Sequence, residues 1–266
     1  YGQTGAGKTF TMYGSLGLEG LAPRTIREVY RVVERERESS SQCQVSASMV
    51  ELYCNELVDL LASRAPRRGL APKEKLSVHV NKTHEVHVEH LVQEECRDAE
   101  ELLQLLERGN RQRTVAATAM NCKSSRSHLL MMISVANANQ EQLHGKILLC
   151  DLAGSERLKR SEASGRAQRE AIEINKSLTA LGDVIEALTK GEKHIPYKNH
   201  KLTQLMRDSL GGTAKTLMIV NCSPAKADLE ETLVALKYAT RAKQIPGDIR
   251  RQSCAAPSAN HSRGRS

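Results

Sequence analysis

Gly2-Gln3-Thr4-Gly5-Ala6-Gly7-Lys8-Thr9 fits the pattern G-x-x-x-x-G-K-[ST] without a mismatch. The physical content of that pattern is specific. Glycines let the backbone take conformations closed to other residues, so successive N–H groups can turn inward around a phosphate. In such a loop the lysine reaches the β and γ oxygens, and the final hydroxyl binds Mg²⁺. A helix is expected to begin within residues 7–9 and to add its positive N-terminal end. Gly2, Gln3, Thr4, Gly5, Ala6, Gly7, Lys8 and Thr9 are therefore the candidate nucleotide-binding residues. A chance glycine-rich turn is the alternative, and a full match followed by a helix argues against it.

Outward from the loop, helices and strands alternate. Apolar spacing predicts helices at residues 23–38, where Ile26, Val29, Tyr30 and Val33 share a face, and at 98–111, with Asp98 as cap. Others are expected at 168–189, at 202–210 (stopped by Gly211-Gly212) and at 229–243. Polar and apolar residues take turns over 45–53, a strand pattern. Segments 76–80 and 85–92 read as a hairpin. Segments 129–135, 146–152 and 216–221 are nearly continuous apolar runs, as buried central strands require. Interleaved strands and helices imply a layered α/β fold.

The bulk numbers suit one large domain. The chain has 266 residues, 39% apolar and 26% charged, with no Trp, one Phe and six Tyr. Its core must then be Leu, Ile, Val, Ala and Met. No apolar stretch approaches the roughly 18 residues needed to span a bilayer, and no secretory leader is seen. Seven cysteines are scattered without a C-x-x-C pair, which fits reduced thiols in a cytosolic protein better than metal ligands. The net charge of +8 suggests an acidic partner: nucleic acid, membrane surface or an acidic protein polymer. Residues 246–266 have little to bury and are expected to be a disordered basic tail. No repeat and no long heptad pattern is visible.

Two more motifs carry chemistry. Asp151-Leu152-Ala153-Gly154 ends an apolar run, where an acid can hold Mg²⁺ through water and a glycine N–H can meet a γ-phosphate. Alone, D-x-x-G is a common turn. Asn121-Cys122-Lys123-Ser124-Ser125-Arg126-Ser127-His128 precedes another strand and, alone, is a polar loop. Together, N-x-x-S-S-R-S-H, D-L-A-G-S-E and the phosphate loop resemble switch I, switch II and the phosphate loop of the kinesin superfamily. Residues 50–61, 174–188, 195–212 and 215–224 are similar too, so the resemblance covers residues 1–245. Detail at 127–135 and 201–212 is similar to minus-end-directed, C-terminal-motor kinesins, the calmodulin-binding ones among them.

The resemblance implies an ATP-driven microtubule motor: a phosphate-loop NTPase-type layered fold with a central mixed β-sheet and helices on both faces. It implies ATP and Mg²⁺ as ligands, with Thr9 and Ser125 directly on the metal and Asp151 reaching it through water. Ser124 would approach the γ-phosphate and attacking water, Gly154 would meet the phosphate, and Arg126 would pair with Glu156 as a latch. Arg157, Asn175, Lys198, His200 and Lys201 would face tubulin. Calmodulin is a possible second partner, nucleic acid and a membrane span are not expected, and dimerisation would lie outside this chain. The expected location is the cytoplasm, on the microtubule cytoskeleton.

Three departures from the family stand out. Family strands before the phosphate loop are absent, so this chain by itself is expected to expose apolar surface and to hydrolyse ATP weakly. Cys122 stands where the family has Glu, and Gln204 where a basic residue is common. A non-motile microtubule-binding module is the competing possibility. A phosphate-loop NTPase acting on RNA is a third, but no aromatic stacking platform accompanies the basic residues.

Overall fold

The computed structural model describes residues 1–38, 43–62, 74–81, 85–120, 124–137, 140–156, 165–211 and 214–246. The elements run α1 (Lys8–Tyr13), β1 (Gly14–Ser15), β2 (Leu18–Glu19), α2 (Leu21–Glu38), β3 (Cys43–Tyr53), β4 (Glu56–Asp59), β5 (Ser77–Val80), β6 (Val86–Glu89) and β7 (Glu94–Cys96). They continue α3 (Ala99–Met120), β8 (His128–Asn137), β9 (Gln140–Asp151), α4 (Arg166–Thr189), α5 (Lys201–Leu205) and α6 (Leu229–Lys243).

The main sheet has the order β4-β3-β8-β9, with β7 also pairing β3. Its pairings are antiparallel. Side chains alternate across it, as period-2 geometry demands. Val45, Ala47, Met49, Leu129, Met131 and Ile133 point one way, into a core with α2 and α3. Val50, Leu52, Leu130 and Met132 point the other way, into a core with α4, α5 and Tyr238 of α6. Helices thus cover both faces, and both cores are almost wholly aliphatic. The approach of α3 to β3 is close: a Cβ on Gly109 would run into the Met49 side chain. On that side the buried Tyr30 hydroxyl donates to the Cys96 carbonyl at 2.8 Å.

Two boundaries differ from the sequence-based expectation. Helix α3 runs nine residues past Arg111, because Gln112 to Met120 is rich in alanine and contains no breaker. Helix α5 is shorter than expected, since 206–210 closes in tight turns, with Ser209 N–H on the Met206 carbonyl.

The run 216–221 is the larger correction. It is not a buried strand here: Leu217 is 77% exposed. Its pairing is with Tyr1, whose amino group donates to the Ile219 carbonyl and whose carbonyl accepts from Asn221 N–H. That is the parallel bonding pattern, one residue long, and no ladder follows from it.

The β5–β6 hairpin is built as expected, with Ser77 opposite Glu89 and His79 opposite His87. Lys146 tethers it, donating to the Val86 carbonyl and to Asp208, while Asp208 also accepts from Val86 N–H. The expected tail lies, beyond Pro246, outside the described residues. No described helix is long and apolar enough to cross a membrane.

Candidate functional site

Register decides where the site falls. Leu52 pairs with His128 and Leu129 with Asp151, so the end of β3, the start of β8 and the end of β9 share one edge of the sheet. The Gly2–Thr9 loop reaches the same edge. Thr9 Oγ1 donates to Asp151 Oδ2 at 3.0 Å, and Ser155 N–H donates to the Gly2 carbonyl at 3.1 Å. Gly154 N–H donates to the Ser125 carbonyl at 2.9 Å. Three segments far apart in sequence therefore meet at one place.

The loop itself is open. Gly5 and Gly7 take positive φ, 82° and 96°, and a Cβ at Gly5 would meet nothing within 4 Å. The N–H groups of Gly5, Gly7, Lys8 and Thr9 meet no acceptor among the described residues. Gln3 Oε1 is buried and likewise has no partner among them. Lys8 Nζ rests on the Gln3 carbonyl at 2.8 Å. Burial lowers its pKa, while Glu156 and Asp151 pull it back up. Donors gathered around open space, with an ammonium beside them, fit a phosphate chain. No three His, Cys, Asp or Glu side chains among the described residues form a metal cage. A Mg²⁺ here would depend on the Thr9 and Ser125 hydroxyls, on Asp151 through water and on the phosphates it accompanies, which is this ion's habit.

Asp151 sits in a buried ionic cluster. Arg113 of α3 reaches Asp151 at 3.3 Å, Glu51 at 3.4 Å and Ser127 through its carbonyl at 3.2 Å. Ser127 Oγ donates to Glu51 at 2.6 Å. Arg113 stands between two carboxylates that would otherwise be buried without compensation. Sequence motifs gave neither Arg113 nor Glu51. For Glu51 the available signal was a carboxylate inside a strand that must be buried; Arg113 lies beyond the expected end of its helix, and nothing local marked it.

Several expectations need correction. Arg126 does not pair with Glu156. Its guanidinium lies 2.6 Å from Glu170 of α4, which also accepts from the Tyr53 hydroxyl at 2.6 Å. Glu156 is taken instead by the backbone N–H and hydroxyl of Thr4. The Glu170 side chain is 5% exposed, so it has the greater need of a cation. The Gly154 N–H is not free, since it holds Ser125. Its lack of a side chain is still required, because a Cβ would strike Thr4 Oγ1 and the Glu156 carboxylate. His200 is not a surface cation. It is 7% exposed and caps α5, its Nδ1 accepting from Leu202 N–H, and burial lowers its pKa.

Of the other expected track residues, Lys198 is exposed, while Asn175 and Lys201 are half-buried. Arg157 and Cys122 lie outside the described residues, as does the Ser124 side chain; the Ser124 backbone opens a 3₁₀ turn with Ser125 and Arg126.

One more residue was missed. His128 opens β8 and is 2% exposed. Burial pushes its pKa down to about 3, so the ring is neutral. Its Nδ1 accepts from Ala153 N–H at 3.1 Å and its Nε2 lies 2.7 Å from Ser177 Oγ of α4.

A two-faced α/β sheet with an open glycine-lysine loop against a strand-ending aspartate defines a nucleotide-handling phosphate-loop protein. Comparison makes the class more specific. The family model "Kinesin motor domain" matches residues 1–245. Kinesin-like protein KIN-14E of Arabidopsis thaliana is 47% identical over 93% of this chain, and KIN-14I of Oryza sativa subsp. japonica 48% over 93%. A solved fast kinesin superposes with a TM-score of 0.82 at 36% identity, covering 98% of this chain and 75% of that one. The C-terminal motor and motor homology domain of Kar3Vik1 gives 0.77 at 38% identity, covering 91% and 62%. This chain belongs to the kinesin motor domain family. It spans 19% and 20% of the length of those two plant relatives.

Proposed function

We propose that this chain is the motor part of an ATP-driven microtubule motor that couples hydrolysis to track binding and movement. The observation that carries this is the meeting of Thr9 with Asp151 and of Gly154 with Ser125 beside an open, donor-lined loop. Phosphoryl transfer needs positioning and charge neutralisation more than covalent chemistry, and this edge supplies both. The loop N–H groups and Lys8 hold the phosphates. Ser124 approaches the γ-phosphate and attacking water. Thr9 and Ser125, with Asp151 through water, would hold a Mg²⁺, which would supply charge neutralisation at the phosphate oxygens. The Arg113 cluster holds the Asp151 side chain in place.

Arg126 and Glu156 do not pair in this structure, and a latch between them would form only with nucleotide bound. Closing it requires Arg126 to leave Glu170 and Glu156 to leave Thr4. Gly154 N–H likewise exchanges the Ser125 carbonyl for phosphate. Driving a two-state element from 1:99 to 99:1 takes roughly 5.5 kcal/mol of differential binding. Charge-assisted hydrogen bonds at about 1.5–3 kcal/mol each are of the right size. Helix α4 then carries the change to a face bearing Arg157, Asn175, Lys198 and Lys201. Arg157, Lys198 and Lys201 are cations that suit acidic tubulin, with binding that weakens as salt rises, and Asn175 adds a neutral polar group. The protein works on the microtubule cytoskeleton of the cytoplasm. Likeness to KIN-14 relatives and to Kar3Vik1 supports a C-terminal-motor, minus-end-directed type, and calmodulin as a regulator is the finest point of the proposal.

The test is ATP turnover by the full-length protein with microtubules, with RNA and with neither. Stimulation by microtubules alone is expected. Stimulation by RNA alone would overturn the proposal, and tight microtubule binding without turnover would favour a non-motile module.

A further inference from the structure

We infer that His128 is a positioning residue that ties residues 153–156 to helix α4 through Ser177. The inference rests on the motor reading above, because it says how the nucleotide edge is felt at the track-facing helix.

Four consecutive residues after Asp151 divide their bonds in an ordered way. Gly154 N–H goes to Ser125, Ser155 N–H to Gly2, and the Glu156 carboxylate to Thr4, all on the nucleotide side. Ala153 N–H goes to His128 Nδ1 instead. Since Nδ1 accepts, Nε2 carries the ring proton and donates to Ser177 Oγ. Ser177 passes its own proton on to the Ile174 carbonyl at 2.6 Å. His128 and Ser177 are 2% and 1% exposed, so the chain of bonds runs through the core, out of water.

An aliphatic pair would fill this space without the cost of burying polar atoms. A fully bonded polar chain instead fixes the relative position of the elements it joins. Here it joins β8, the loop after β9 and α4. Any displacement of residues 154–156 acts on Ala153 one residue away, and through the ring on α4. The ring offers both arms because its acceptor and donor sit on opposite sides. Asparagine can place an acceptor near Nδ1 but cannot reach Ser177.

The experiment uses the full-length protein and the variants Ser177→Ala, His128→Asn and the double. Microtubule affinity is measured with a non-hydrolysable ATP analogue and with ADP, and the ratio of the two is compared. The ratio is expected to fall about threefold or more in Ser177→Ala, the size of one hydrogen bond. His128→Asn should lose as much, and the double no more than either. Turnover without microtubules should stay close to that of the unmodified protein. An unchanged ratio in Ser177→Ala, or losses that multiply in the double, overturns the inference and leaves the motor reading standing. Unmodified protein with the same affinity in both nucleotides overturns both. If His128→Asn does not fold, Ser177→Ala decides.

Discussion

The buried edge around Asp151 and the exposed β5–β6 hairpin are both rich in charge, yet they are held together differently. At the edge, partners are far apart in sequence: Arg113 is 38 residues from Asp151 and 62 from Glu51, and Thr9 is 142 from Asp151. On the hairpin, Ser77 and Glu89 are 12 apart and Asn81 and Glu85 only 4, and both bonds lie at the surface. Buried charges must be matched by whatever the fold brings near, because leaving one unmatched is costly. Exposed charges have water as an alternative, so their pairs contribute little. The first region is where a substitution reaches the whole molecule.

The comparison breaks most visibly at Arg113. Arg113→Ala leaves Glu51 and Asp151 without their shared cation and should destabilise the fold by about 3–5 kcal/mol in denaturant unfolding. A loss below that of an ordinary surface change would put the cluster on the hairpin's footing. Lys8→Ala removes the one ammonium in the loop and should cut ATP turnover on the order of a hundredfold, with little change in stability.

His128 sharpens the contrast through pH. Its folded pKa, about 3, is below its ordinary 6.5, so the unfolded chain binds the extra proton between those values. Its contribution is complete above pH 6.5 and is lost as pH falls, at up to about 1.4 kcal/mol per unit. His128→Asn should flatten the slope of stability between pH 6.5 and 5. An unaltered slope would mean that other groups set it. Smaller effects belong to the hairpin. Lys146→Met, which removes the tether to Val86 and Asp208, should cost about 1 kcal/mol. Glu89→Gln should leave the melting temperature unchanged, although its partners Ser77 and His79 hold its pKa down.

The same contrast explains what the sequence revealed. The phosphate loop was legible because it is a local pattern with one chemical use, while the D-x-x-G and the serine cluster, ambiguous alone, became legible in its company. Helix α6 was legible to the residue, since its apolar period and flanking turns are local as well. Arg113, Glu51, Glu170 and His128 were not, because their roles exist only once distant segments are packed together. Arg126 misled for the same reason: its motif names a cation, and the fold chooses between Glu156 and Glu170. His200 misled because the fold buries it at the start of α5, and burial lowers its pKa. The run 216–221, expected as a strand, pairs its backbone with Tyr1 alone among the described residues.

The central claim is that Gly2–Thr9, Ser124–Ser125 and Asp151 serve one Mg²⁺-nucleotide. It is tested most directly by nucleotide affinity of the full-length protein, measured with Mg²⁺ and with the metal chelated, before and after Thr9→Ala and Asp151→Asn. Tighter binding with Mg²⁺, with that gain lost in both variants, is the predicted result. Binding that ignores Mg²⁺ in the unmodified protein, or a Mg²⁺ gain that survives both substitutions, would contradict the account.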